Sequence, residues 1–114
     1  MGEAWTTVAR ADEVPDGKPF RVEAGGMVLF LYRTGERLFA LDDRCTHQAG
    51  PLHKGRATGG GQPTVTCPIH GSIFWLADGR VVRGPATAPQ PVFDVRETDG
   101  MIEVRPRTVA EAVG

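Results

Sequence analysis

At 114 residues, with 40% hydrophobic and 24% charged side chains, the chain has the composition of one globular domain, not of two domains or a disordered segment. The formal net charge of −1 and a pI of about 6.3 argue against nucleic-acid binding, which needs a clustered Lys/Arg surface. No run approaches the roughly 20 apolar residues needed to cross a bilayer, and Met1-Gly2-Glu3-Ala4-Trp5 lacks the basic-then-apolar order of a secretory signal. A cytoplasmic protein without membrane association is expected.

In chain order, β-branched and aromatic runs predict strands at Phe20–Glu23, Met27–Arg33, Arg37–Leu41, Thr64–Thr66, Ser72–Leu76, Arg80–Val82, Val92–Glu97 and Met101–Arg105. Gly25-Gly26, Thr34-Gly35, Asp78-Gly79 and Asp99-Gly100 separate them as hairpin turns do. Within Arg37–Leu41, Leu38 and Ala40 face one way and Phe39 and Leu41 the other, so this strand is expected to be covered on both sides. The fold class is therefore all-β, a sandwich or small barrel. Residues 1–106 form a single domain, and 107–114 a frayed C-terminal tail with only a weak helical period. Asp42–Pro63 and Gly84–Pro91 resist strand assignment, and loops that long are usually functional.

The chemistry sits at Cys45-Thr46-His47 and, after 19 intervening residues, Cys67-Pro68-Ile69-His70. These are the only two cysteines of the chain and two of its three histidines. In a reducing compartment a disulfide between them is disfavoured. Two thiolates and two neutral imidazoles suit either a mixed-ligand iron–sulfur cluster or a tetrahedral zinc. A zinc finger of the usual kind pairs Cys with Cys and later His with His. Here both halves read Cys then His, as two loops clamping a two-iron rhomb would.

At these residues the chain resembles the Rieske [2Fe–2S] family, close to the small ferredoxins of oxygenase systems. The likeness includes Gly71, Pro51-Leu52, Phe74, Asp78-Gly79-Arg80, Gly84-Pro85 and the strands around Val92–Val95 and Met101–Val104, spanning Trp5 to about Arg105. It implies a Rieske-type antiparallel β-sandwich with a small cluster-binding subdomain, the cluster loops lying within about 43–86. It implies one [2Fe–2S] cluster per chain, with Cys45 and Cys67 on the buried iron and His47 and His70 on the outer one. Gly84-Pro85 would cover the cluster. Neutral imidazoles in place of two thiolates raise the potential above that of all-Cys clusters.

Departures from the family's high-potential respiratory members sharpen the expectation. Those proteins carry two further cysteines in a disulfide, where this chain has Gly50 and Ile69. Ser72 matches a serine that hydrogen-bonds a cluster sulfur, but Phe74 replaces a tyrosine and has no hydroxyl to donate. A potential in the lower part of the roughly −150 to +300 mV Rieske span is expected.

Other residues are assigned plainer roles. His53 is read as an exposed loop residue without a visible partner, Asp42-Asp43-Arg44 as a solvated turn, and Trp5 and Trp75 as packing residues, with docking an open role for Trp75.

The expected function is a one-electron shuttle from a flavin-dependent ferredoxin reductase to a terminal oxygenase, not an enzyme. Two rivals are a small subunit of a nitrite-reductase-like enzyme and a zinc-stabilised interaction module. A Rieske oxygenase is excluded, because its separate iron needs two His and a carboxylate and only His53 is left over.

Overall fold

The structure is a computed structural model that describes residues 4–46 and 50–107. The expected ligand His47 and nearly all of the expected tail lie outside the described residues.

Among the described residues there are ten strands: β1 (Thr6–Arg10), β2 (Phe20–Ala24), β3 (Met27–Thr34), β4 (Arg37–Asp42), β5 (Arg56–Thr58), β6 (Thr64–Thr66), β7 (Ile73–Trp75), β8 (Val81–Arg83), β9 (Val92–Thr98) and β10 (Met101–Pro106). Two 3₁₀ turns, Ala11–Glu13 and Leu52–Lys54, are the only helical segments among the described residues. The strands form a six-stranded sheet in the order β1-β10-β9-β4-β3-β2 and a four-stranded sheet in the order β5-β6-β7-β8. All strand pairings are antiparallel. In the large sheet β1 also approaches β2, so the sheet curls nearly into a barrel. No helix of the described residues is long and apolar enough to cross a membrane.

Two of the expected hairpins turn through paired positive φ angles. Gly25 and Gly26 (φ 58° and 78°) join β2 to β3, and Asp99 and Gly100 (φ 52° and 78°) join β9 to β10. Such turns match the right-handed twist of the flanking strands.

Strand alternation builds two cores from one sheet. Leu29, Leu31, Leu38 and Ala40 of β3 and β4 join Ala9, Ile102 and Val104 inside the near-barrel. Phe30, Tyr32, Phe39 and Leu41 of the same strands point the other way. There they pack against Val65 and Phe74 of the small sheet and Leu76 just beyond β7, with Cys45, Cys67 and Leu52 in the same cluster. The two-sided cover expected for β4 is what the structure has, and its second face fixes the small sheet and both Cys residues on the frame.

Two strands were not foreseen. β1 is held by its pairing with β10, and β5 by its pairing with β6 across the long Asp42–Pro63 segment. The small-sheet strands are also displaced slightly: β7 stops short of Ser72 and Leu76, and β8 runs one residue later than expected.

Candidate metal centre

The Cys45 loop follows β4 of the large sheet and the Cys67 loop follows β6 of the small one, and the two close in the same way. The Cys45 N–H donates to the Gly50 carbonyl at 2.9 Å, and the Cys67 N–H donates to the Ser72 carbonyl at 2.7 Å. Each bond spans five positions, 45 to 50 and 67 to 72. The first loop is fastened further by an antiparallel bridge between Arg44 and Pro51, and by Leu52, whose N–H donates to the Asp43 carbonyl at 2.7 Å. Leu52 is fully buried, so its apolar side chain anchors the far end of the loop in the core.

The side chains of Cys45 and Cys67 are buried, neither in a disulfide, and they lie within hydrogen-bonding reach of one another. Burial pushes the Cys67 thiol up from its ordinary range, the Ile69 and His70 backbone N–H groups draw it back, and the neighbouring Cys45 thiol adds to the rise. Two neighbouring buried thiols resist ionising together unless a cation opposes their charge, and a metal ion does so. Gly50 leaves room on one flank: a Cβ there would sit 2.8 Å from the Cys67 sulfur. The residues present therefore fit a thiolate-held iron–sulfur group. His70, like its loop neighbours Pro68 and Ile69, is exposed.

Among the described residues no three His, Cys, Asp or Glu side chains converge on one point. A two-iron cluster divides its protein donors between two metals, so a three-donor cage is not its signature. The structure brings Cys45 and Cys67 together and places His70 on the rim; His47 lies outside the described residues.

A third loop, which includes Gly84 and Pro85, straps the first two. The buried Ser72 hydroxyl accepts the Ala86 N–H at 2.9 Å, which leaves its own hydrogen to donate elsewhere. Thr46 donates through its hydroxyl to the Ala88 carbonyl at 2.9 Å. Gln90, 2% exposed, sends its amide to the backbone on either side of Cys45. Sequence reading passed over Gln90; its only trace there is a polar side chain set between Pro89 and Pro91.

Two expectations need correction, those for His53 and for the Asp42-Asp43-Arg44 turn. His53 is not an exposed residue without a partner: it is half-buried, and its Nδ1 lies 2.7 Å from Asp43 Oδ2. Nor is the Asp42-Asp43-Arg44 turn solvated throughout, because Asp43 is buried and also accepts the His53 backbone N–H at 2.7 Å. Asp42 is bound by the Arg44 guanidinium, which the contact holds above its ordinary pKa. Trp75 pairs with Thr64, at the end of β6 opposite Cys67, where it lines an open groove with Arg37, Gln62 and Arg80. Trp5 is half-buried between two guanidinium groups, Arg96 at 4.1 Å and Arg105 at 4.5 Å from its ring centroid.

Matching loops led by two buried cysteines, on an antiparallel β frame, define a small iron–sulfur domain. The chain belongs to the Rieske [2Fe–2S] domain family, which matches residues 4–96, and its cofactor is the Rieske cluster. It is 32% identical over 105 residues to Ferredoxin CarAc of Metapseudomonas resinovorans, covering 91% of this chain and 95% of that protein. It is similar in structure to a chain in the complex of reduced oxygenase and oxidized ferredoxin in carbazole 1,9a-dioxygenase. That likeness has a TM-score of 0.78 and 31% identity over 94% of this chain and 99% of that one. A chain described as the small subunit of an NADH-dependent nitrite reductase, from Mycobacterium tuberculosis, superposes with a TM-score of 0.80. At 24% identity, over 95% of this chain and 100% of that one, it shares the fold alone.

Proposed function

We propose that this chain is a one-electron carrier whose cluster is held by Cys45 and Cys67 on the inner side and by His47 and His70 on the outer side. The observation that carries the reading is the pair of buried thiols in one core cluster, with an exposed histidine three positions beyond the second of them, 67 to 70. Bound there, the cluster supplies a reversible one-electron redox change. The buried cysteines keep water from the inner edge, and the Ile69 and His70 N–H groups stabilise negative charge on the Cys67 sulfur. Exposed Pro68 and Ile69 give the rim an apolar contact area beside His70.

In this reading a flavin-dependent reductase supplies the electron and a terminal oxygenase receives it. The protein has no substrate of its own and works in the cytoplasm, where thiols stay reduced. Its single Rieske domain occupies residues 1–106. The similarity to a ferredoxin and to a chain from an oxygenase–ferredoxin complex supports this assignment.

Visible absorption and EPR before and after dithionite, with iron and sulfide counted, test it. The expected result is a red-brown protein with iron and sulfide in equal amounts and a reduced spectrum of low average g. A colourless protein holding zinc overturns it. Size-exclusion chromatography tests the free carrier against the integral subunit: stable association with a large flavoprotein or haem subunit overturns the free carrier.

A further inference from the structure

We propose that Gln90 is the positioning residue of the first cluster loop, a role that rests on Cys45 being a ligand. Its Nε2 donates to the Asp42 carbonyl at 2.7 Å and the Arg44 carbonyl at 2.6 Å, and its Oε1 accepts the Thr46 N–H at 3.0 Å. All three partners are backbone groups, and they bracket Cys45. A primary amide is the side chain that offers two N–H donors and a carbonyl acceptor together. A carboxylate would set negative charge against two carbonyls, and a hydrocarbon would leave all three part-buried groups without this partner.

Gln90 is itself held from behind. Its N–H donates to the Gly79 carbonyl at 2.7 Å, and the Gly79 N–H donates to the Trp75 carbonyl at 2.8 Å. The amide is therefore fixed to the β7–β8 turn of the small sheet, the sheet from which the Cys67 loop springs. Through Gln90 the first loop is referenced to the frame of the second, so the amide sets where the Cys45 sulfur stands relative to Cys67.

The test uses the purified, loaded protein and its Gln90→Leu and Gln90→Asn variants, with Val104→Ala as the control. Val104 is buried in the near-barrel core, away from both loops, and its truncation loosens the fold without touching the site. Loss of visible colour to excess chelator is timed against loss of far-UV circular dichroism, and the reduced EPR spectrum is recorded. Gln90→Leu is expected to lose colour faster by on the order of tenfold while the backbone signal is unchanged, with shifted or broadened EPR lines. Val104→Ala is expected to keep the parent lines and lose colour only as it unfolds. Gln90→Asn, an amide one methylene too short, carries the same comparison if the leucine variant does not fold. Colour loss in step with unfolding, with parent EPR lines, overturns the proposal. A parent protein that holds zinc instead overturns the electron-carrier reading alone, and release of that zinc to the same chelator then reads the role of Gln90.

Discussion

Gly50 lies against Cys67 so closely that a Cβ on Gly50 would stand 2.8 Å from the Cys67 sulfur and 2.4 Å from Ile69 Cγ1. The first loop thus passes directly over the root of the second, and only a residue without a side chain fits. Gly50→Ala is expected to cost about 1–3 kcal/mol, the range for overpacking a close-packed site, and to displace the sulfur. Iron per chain in the purified variant should fall well below the parent value. Full loading would show that the two loops have slack where the structure gives them none.

Gly50 and Ile69, which the resemblance sets where respiratory members carry two further cysteines, are neighbours in this structure. A Cβ on Gly50 would lie 3.4 Å from Ile69 Cβ, so those positions are neighbours across the two loops. That contact is what a disulfide between the loops would need, with Cβ atoms usually about 3.5–4.5 Å apart.

Gly79 shows how conformation and space can be separated. Its φ is 78°, and a Cβ there would fall 2.0 Å from the Gln90 carbonyl oxygen. Gly17 has nearly the same φ, 77°, with nothing within 4 Å of its would-be Cβ. Gly17→Ala should therefore cost only the left-handed backbone penalty, about 1–2 kcal/mol. Gly79→Ala should cost clearly more, because the loop carrying Gln90 must also move. Urea midpoints of the two variants give the comparison, and equal losses would remove the claim that the β7–β8 turn supports the third loop.

Much of this frame was legible because local signals agreed with the tertiary outcome. The β2–β3 and β9–β10 hairpins announced themselves in Gly-Gly and Asp-Gly pairs, and β4 disclosed its two buried faces in Leu38-Phe39-Ala40-Leu41. β1 and β5 were not legible, since Thr6–Arg10 and Arg56–Thr58 are short and become strands only through their partners. The paired Cys-x-His and Cys-x-x-His spacing pointed to the metal centre, but nothing local couples residues 42–46 to Gln90, or Asp43 to His53. Those links join side chains to positions ten or more residues away, and only the closing of the loops creates them.

The Asp43–His53 link yields a graded prediction. The Asp43 carboxylate meets both the backbone N–H and the ring Nδ1 of His53 at 2.7 Å, with the Arg21 guanidinium further off at 3.9 Å. Asp43→Ala leaves the His53 N–H without its acceptor and should cost about 2–4 kcal/mol. Asp43→Asn keeps an acceptor oxygen and should recover part of that loss. Arg21→Ala removes a distant, partly exposed partner and should change stability by less than about 1 kcal/mol. Thermal unfolding of the three variants tests the order. An arginine variant as damaging as Asp43→Ala would mean that charge, not hydrogen bonding, closes the first loop.

Acid should find a second weak point, at a carboxylate of β9. Asp94 of β9 accepts hydrogen bonds from Arg105 at 3.1 Å and Arg107 at 3.0 Å. Partial burial raises its carboxyl, but the two arginines outweigh that and hold it below the ordinary carboxylate range. A carboxyl that ionises more readily folded than unfolded adds stability above its unfolded pKa, about 3.9. That contribution fades as pH falls through the lower folded value. Partial exposure keeps it modest. The urea midpoint of the parent should therefore exceed that of Asp94→Asn at neutral pH, and the gap should narrow below about pH 4. Comparing the two proteins at each pH cancels the acid sensitivity of the cluster ligands, which they share. A gap that stays constant or widens on acidification would mean that the two arginines do not hold the β9–β10 hairpin through this carboxylate.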